Sequence, residues 1–169
     1  PVNDLKASPD GNLLLILEDQ KECAIKDLRS GEKIIELCGH EDYGFTGDWH
    51  PNGFFVATGN QDSTCRIWDL RKPEKSVEVL QAHIGTVCSL IYSKDGSNLI
   101  IAENVDYVNI YDTTNNYESM QVIDFFGEVI GINFDGEDGD NLFFGVMLDG
   151  RNGIFVYNKK TSQPLYTLS

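Results

Sequence analysis

His40 and His83 are the side chains best placed for acid–base or metal chemistry, and they stand 43 residues apart. A zinc site needs three or four His, Cys or carboxylate ligands that converge on one point. No Cys or acid falls at ligand spacing from either histidine, so a structural role is expected for both. His50, between Trp49 and Pro51, reads as an exposed strand-end residue. Cys23, Cys38, Cys65 and Cys88 form no CxxC pair. They are expected to be reduced, structural thiols. The acidic run Asp135, Glu137, Asp138 and Asp140 invites calcium, but an EF-hand register puts Gly139 at the fifth place and Asp140 at the sixth, where glycine is required. A solvated acidic loop is expected instead. The chain lacks GxSxG, GxxxxGK[ST], HExxH and GxGxxG. The expectation is no catalysis, no metal and no cofactor.

Charge narrows the partners. With 27 acidic against 13 basic residues in 169, the formal net charge is -14, which repels phosphate backbones and disfavours direct nucleic-acid binding. No apolar run approaches the roughly 20 residues that span a bilayer, and the chain shows no leader. An intracellular site, cytoplasm or nucleus, is expected, with no membrane.

The elements that must carry these residues repeat. Turn signals Pro9-Asp10-Gly11, Pro51-Asn52-Gly53 and Lys94-Asp95-Gly96 recur at 42 and 43 residues, and a less regular turn follows Asp135. Strand-closing pairs follow the same beat: Lys26-Asp27, Trp68-Asp69, Tyr111-Asp112 and Tyr157-Asn158. Between the turns lie runs of four to six apolar or alternating residues, too short for helices. In the fourth repeat, for example, Val129 to Phe134 and Asn141 to Met147 read as separate strands from Met120 to Ile123 of the third. The class is all-β, with units expected at 1–38, 39–81, 82–123 and 124–169.

The stretch from Gly39 to Asp69 carries Gly39-His40, Trp49-His50-Pro51-Asn52-Gly53, Ala57-Thr58-Gly59-Asn60-Gln61-Asp62 and Arg66-Ile67-Trp68-Asp69 in order. This resembles one WD40 repeat, a four-stranded blade of a β-propeller. The resemblance implies four consecutive antiparallel four-stranded blades, part of a seven-bladed ring, acting as a scaffold for protein partners. It also implies a buried tetrad of His40, Thr58, Asp62 and Trp68. The third repeat keeps His83 but offers Asp106 and Tyr111; the fourth has Phe125 where histidine belongs. Longer runs, including Val2-Asn3-Asp4 and Ile123-Asp124-Phe125-Phe126-Gly127-Glu128, resemble a plant and fungal group of WD-repeat proteins. Strand order places Asp42, Tyr43, Gln61, Ile84, Asp106, Tyr107, Phe126 and Glu128 on one rim, a surface suited to a basic partner. Trp68-Asp69-Leu70-Arg71, with Arg66, resembles the WDxR box of substrate receptors, implying that Arg66, Asp69 and Arg71 dock a ubiquitin-ligase adaptor.

Overall fold

A computed structural model describes residues 1–135, 140–148, 150–158 and 163–168, with the last six and Phe125 as backbone only. The first sheet has strands β1 (Val2–Ala7), β2 (Leu13–Glu18), β3 (Cys23–Asp27) and β4 (Lys33–Leu37), paired antiparallel in chain order. The second has β5 (Gly44–Trp49), β6 (Phe55–Asn60), β7 (Thr64–Asp69) and β8 (Glu78–Gln81), ordered the same way. Apart from a short 3-10 turn at Thr113–Asn115, no helix occurs among the described residues.

The remaining strands depart from the expected pattern. β9 (Val87–Tyr92), β10 (Asn98–Glu103) and β11 (Val105–Asp112) lead into one long strand, β12 (Met120–Phe134), which is followed by β13 (Asn141–Leu148), β14 (Arg151–Asn158) and β15 (Gln163–Leu168). From Met120 to Asp124 β12 pairs with β11; Glu128 pairs with both Val105 of β11 and Met147 of β13, and the rest, to Phe134, pairs with β13. Blades three and four are therefore one seven-stranded sheet. The boundary expected at 123/124 falls inside β12. The reason is local: no proline stands between Ile123 and Val129, and the irregularity is absorbed as a bulge, with pairing to β11 skipping from Asp124 to Glu128 and Gly127 taking φ 153.

The apolar core lies between successive blades. Leu15, Leu17, Ile25 and Trp49 join the first pair; Ala57, Ile67, Leu90 and Ile101 the second; Ile100, Val108, Leu142 and Phe144 the third. This explains why β10 (NLIIAE) is apolar on both faces: Leu99 and Ile101 pack toward blade two, Ile100 and Ala102 toward β12 and β13. Inner strands pack in series, β1 on β5, β5 on β9 and β9 on β12. At the two ends of that series Leu5, Ile130 and Ile154 remain exposed.

Two junctions are also stapled by carboxylates. Asp4 Oδ2 accepts from the Gly47 N–H at 3.0 Å, and Asp48 Oδ2 accepts from the Tyr92 N–H at 2.8 Å. Each inner strand thus satisfies an edge amide of the next. Burial pushes the Asp48 carboxyl above its ordinary range, against the pull of the Tyr92 amide. Cys23 and Cys65 are fully buried and every cysteine is free; burial lifts the Cys23 thiol to about 12.

Candidate functional site

The blade-two tetrad assembles. Trp68 Nε1–H donates to Thr58 Oγ1 at 2.8 Å, and Thr58 lies 2.8 Å from His40 Nε2. Since that hydroxyl oxygen already accepts from the indole, its own hydrogen points to Nε2. The imidazole then carries its proton on Nδ1 and donates to Asp62 Oδ2 at 2.9 Å. Thr58 and Trp68 are fully buried and His40 nearly so. Asp62 also accepts from the N–H of Glu41 and Thr64 and from the Thr64 hydroxyl at 2.6 Å. Burial depresses the His40 pKa below its ordinary 6.5, and Asp62 restores only part of it. The chain of bonds ties the blade entrance to the end of β7, holding the loop at 38–43 in place.

Blade three solves the same problem with a residue the sequence reading passed over. Where Thr58 stood in blade two, Ile101 is apolar core; two residues on, fully buried Glu103 takes over. Its carboxylate accepts from the N–H groups of His83 (2.8 Å), Ile84 (3.0 Å) and Gly85 (2.9 Å), from Asn109 Nδ2, and from His83 Nδ1 at 3.1 Å. Burial alone would raise its pKa, but the amides of Ile84, His83 and Gly85 outweigh it and hold Glu103 below the usual carboxylate value. Asp106, the acid the sequence offered for this role, instead accepts from the Gly127 N–H at 2.9 Å and sits at φ 63. His83 is turned outward and stacks on Tyr107 with ring centroids 4.8 Å apart. A lone acid ending an apolar strand, after Ile100-Ile101-Ala102, was the available signal.

Antiparallel order puts the β4–β5, β6–β7, β8–β9 and β10–β11 connections and the middle of β12 at one end of the strands. Asp42, Tyr43, Gln61, Ile84, Phe126 and Glu128 belong to these segments, while Asp106 and Tyr107 lie at the start of β11 beside them. Several are tied by backbone: Asn60 Nδ2 donates to the Asp42 carbonyl, and Gln61 N–H to that of Tyr43. Tyr43, Ile84 and Phe126 are exposed, Phe126 at 85%. Among the described residues no ion pair involves Asp42, Asp106 or Glu128. Gln61 also lines a cavity of about 500 Å3 with Asn3, Phe45, Thr86, Cys88 and Asn104.

The opposite rim carries the expected docking arginine. Arg71 grips Asp69 with Nε at 2.8 Å and NH2 at 2.7 Å, and its guanidinium lies 5.1 Å from the Phe54 ring centroid. Arg66 points elsewhere, toward Ser76 at 3.3 Å. Arg66 is therefore separate from the Asp69–Arg71 pair. Within the acidic segment, Glu137, Asp138 and Gly139 lie outside the described residues. No group of three or more His, Cys, Asp or Glu able to hold a metal gathers among the described residues, and no described helix is long and apolar enough to cross a membrane.

Comparison with known proteins agrees with this geometry. The family "WD domain, G-beta repeat" (WD40) matches residues 31–69. That match begins before β4, so the sequence repeat takes its first strand from one blade and three from the next. The chain is 29% identical over 119 residues to the anaphase-promoting complex subunit cdc20 of Dictyostelium discoideum, covering 70% of this chain and 23% of that protein. It is 32% identical over 90 residues to WD repeat-containing protein 37 of Homo sapiens, covering 53% and 18%. It is 32% identical over 117 residues to pre-mRNA-processing factor 19 of Schizosaccharomyces pombe, covering 65% and 22%. The chain thus spans about a fifth of the length of these relatives. Among solved structures, Kuenenia stuttgartiensis hydrazine synthase superposes with a TM-score of 0.85 at 15% identity, covering 97% of this chain and 48% of that one, a likeness of fold. Sheet order, side-chain tetrad and family match coincide between Gly39 and Asp69: this stretch carries one WD40 repeat, within an all-β chain of consecutive propeller-type blades.

Proposed function

We propose that this chain is a non-catalytic, intracellular scaffold that docks a basic protein partner on the rim of its blade entrances. The observation that carries this reading is the set of carboxylates without ion pairs, Asp42, Asp106 and Glu128, set among exposed Tyr43, Ile84 and Phe126. Aromatic anchors supply contact area, while unneutralised charge speeds and orients encounter with a positive surface. Two relatives support the class: one is named as a subunit of a complex, another as a processing factor. The test is affinity purification with mass spectrometry, using wild type and the triple reversal Asp42→Lys, Asp106→Lys, Glu128→Lys. Basic partners should be lost from the variant; a partner list that does not change would overturn the proposal.

A second reading is favoured by Arg71. Its bidentate hold on Asp69 fixes the guanidinium in a single orientation, so little side-chain entropy remains to be lost on docking. In this reading Asp69 and Arg71 contact a ubiquitin-ligase adaptor. Adaptor co-purification should vanish in Arg71→Ala, and co-purification that survives would remove the idea.

A further inference from the structure

Blades two and three part on the rim opposite the entrances, leaving a cleft of about 850 Å3. One wall is Phe55, Ile67 and Val77 of blade two; the other is the turn around Gly96 and the segment from Thr113 to Tyr117 of blade three. His50 closes the back. The Asn52 N–H donates to His50 Nδ1 and His50 Nε2 to the Gly96 carbonyl, both at 3.1 Å, with the ring edge-on to Tyr92 at 5.0 Å. A Cβ added to Gly96 would come within 2.6 Å of that imidazole, so the wall is closely fitted. Tyr117 lines the floor, its phenol 3.0 Å from that of Tyr92. Asn116 and Tyr117 both have left-handed backbone, φ 59 and 63, a costly conformation for a bulky side chain.

The charged side chains that line this cleft are acidic. Asp69, Glu78 and Asp95 line it, and among the described residues no Lys or Arg does, although Arg71 lies beside it over the Phe55 ring at 5.5 Å. Asp69 is already neutralised by Arg71, and Asp95 is engaged by Ser93 and Ser97. Glu78 accepts only from the adjacent Val79 N–H through Oε1, and it is exposed. Its second oxygen is the open acceptor of the cleft. The combination is a cleft of ligand-site size with an apolar strip at Phe55, Val77 and Tyr117, polar sides, and one uncommitted carboxylate at its edge.

We propose that this cleft is a second docking site, for an extended segment of a partner protein in which a bulky apolar side chain stands next to a lysine or arginine. The apolar group packs on Phe55, Val77 and Tyr117, and the cation meets Glu78. The site is independent of the entrance rim, which lies at the other end of the strands. The 15N-labelled whole chain, titrated with the peptide acetyl-Gly-Leu-Arg-Leu-Gly-amide, tests it. Saturable shifts are expected at Phe55, Ile67, Val77, Ser97 and Tyr117. Glu78→Gln, which keeps the bond to Val79, should weaken binding about 3-fold, the scale of an exposed ion pair. Val77→Ser should weaken it about 5-fold through lost apolar contact. Both side chains are exposed, so an unchanged spectrum elsewhere certifies the fold. Unaltered binding in both variants, shifts centred on Asp42, Asp106 and Glu128, or no saturation by about 10 mM would each overturn the proposal. The triple reversal on the entrance rim should leave this titration unchanged, which separates the two surfaces.

Discussion

Blades two and three anchor the same loop by different chemistry. In blade two, four side chains pass a hydrogen bond from Trp68 through Thr58 and His40 to Asp62. In blade three, a single buried carboxylate, Glu103, reaches three loop amides directly. The distributed network spreads its worth over several modest bonds, whereas the concentrated one places the whole loop on one charged group. A polar anchor can therefore move two residues along a strand and change type while the blade keeps its shape.

The largest expected effect follows from that concentration. Glu103→Ala removes the acceptor of the His83, Ile84 and Gly85 N–H groups, the last of them buried, and should cost about 4 kcal/mol, read by urea unfolding, with faster exchange at those amides. Thr58→Val breaks the middle of the blade-two network and should cost about 2 kcal/mol. If the two losses proved equal, the contrast between concentrated and distributed anchoring would fail.

Titration sharpens the same comparison with a smaller loss. The folded His40 imidazole titrates below 6.5, so the unfolded chain binds that proton first and stability declines as pH falls below 6.5. The folded Glu103 carboxyl titrates below 4.5, so its contribution persists until pH falls under that value. Amide exchange should thus quicken at Glu41 before it quickens at Ile84 as the solution is acidified. Quickening in the reverse order would count against the assignment of anchors. The smallest effect is expected at a junction between blades: Asp48→Asn keeps an acceptor for the Tyr92 amide without a buried charge, and should change stability at neutral pH by no more than about 0.5 kcal/mol.

Much of this was legible before any coordinates. The turn triplets at Pro9, Pro51 and Lys94 marked the first three blades, and the ends of β1 and β9 fell where alternation and turn residues put them. His40, Thr58, Asp62 and Trp68 could be named because the resemblance to a WD40 repeat implies them, and their side chains do join in one chain of bonds. Glu103 could not, because its partners are backbone amides, which leave no trace in side-chain type. The fusion at β12 escaped for a different reason: Phe125 and Phe126 read as loop because the earlier repeats have a loop there, yet the strand absorbs the irregularity as a bulge. The Asp69–Arg71 clasp was hidden for lack of any signal that Phe54 and Phe55 would lie beneath the guanidinium.

The unbroken β12 also has a mechanical meaning. Blades one and two are distinct sheets joined by loops, so a force applied along the polypeptide can peel them away singly. Blades three and four share a strand, and its hydrogen bonds run to both β11 and β13. Pulled from its ends, this molecule should give way in three steps rather than four, with the shared pair rupturing as one.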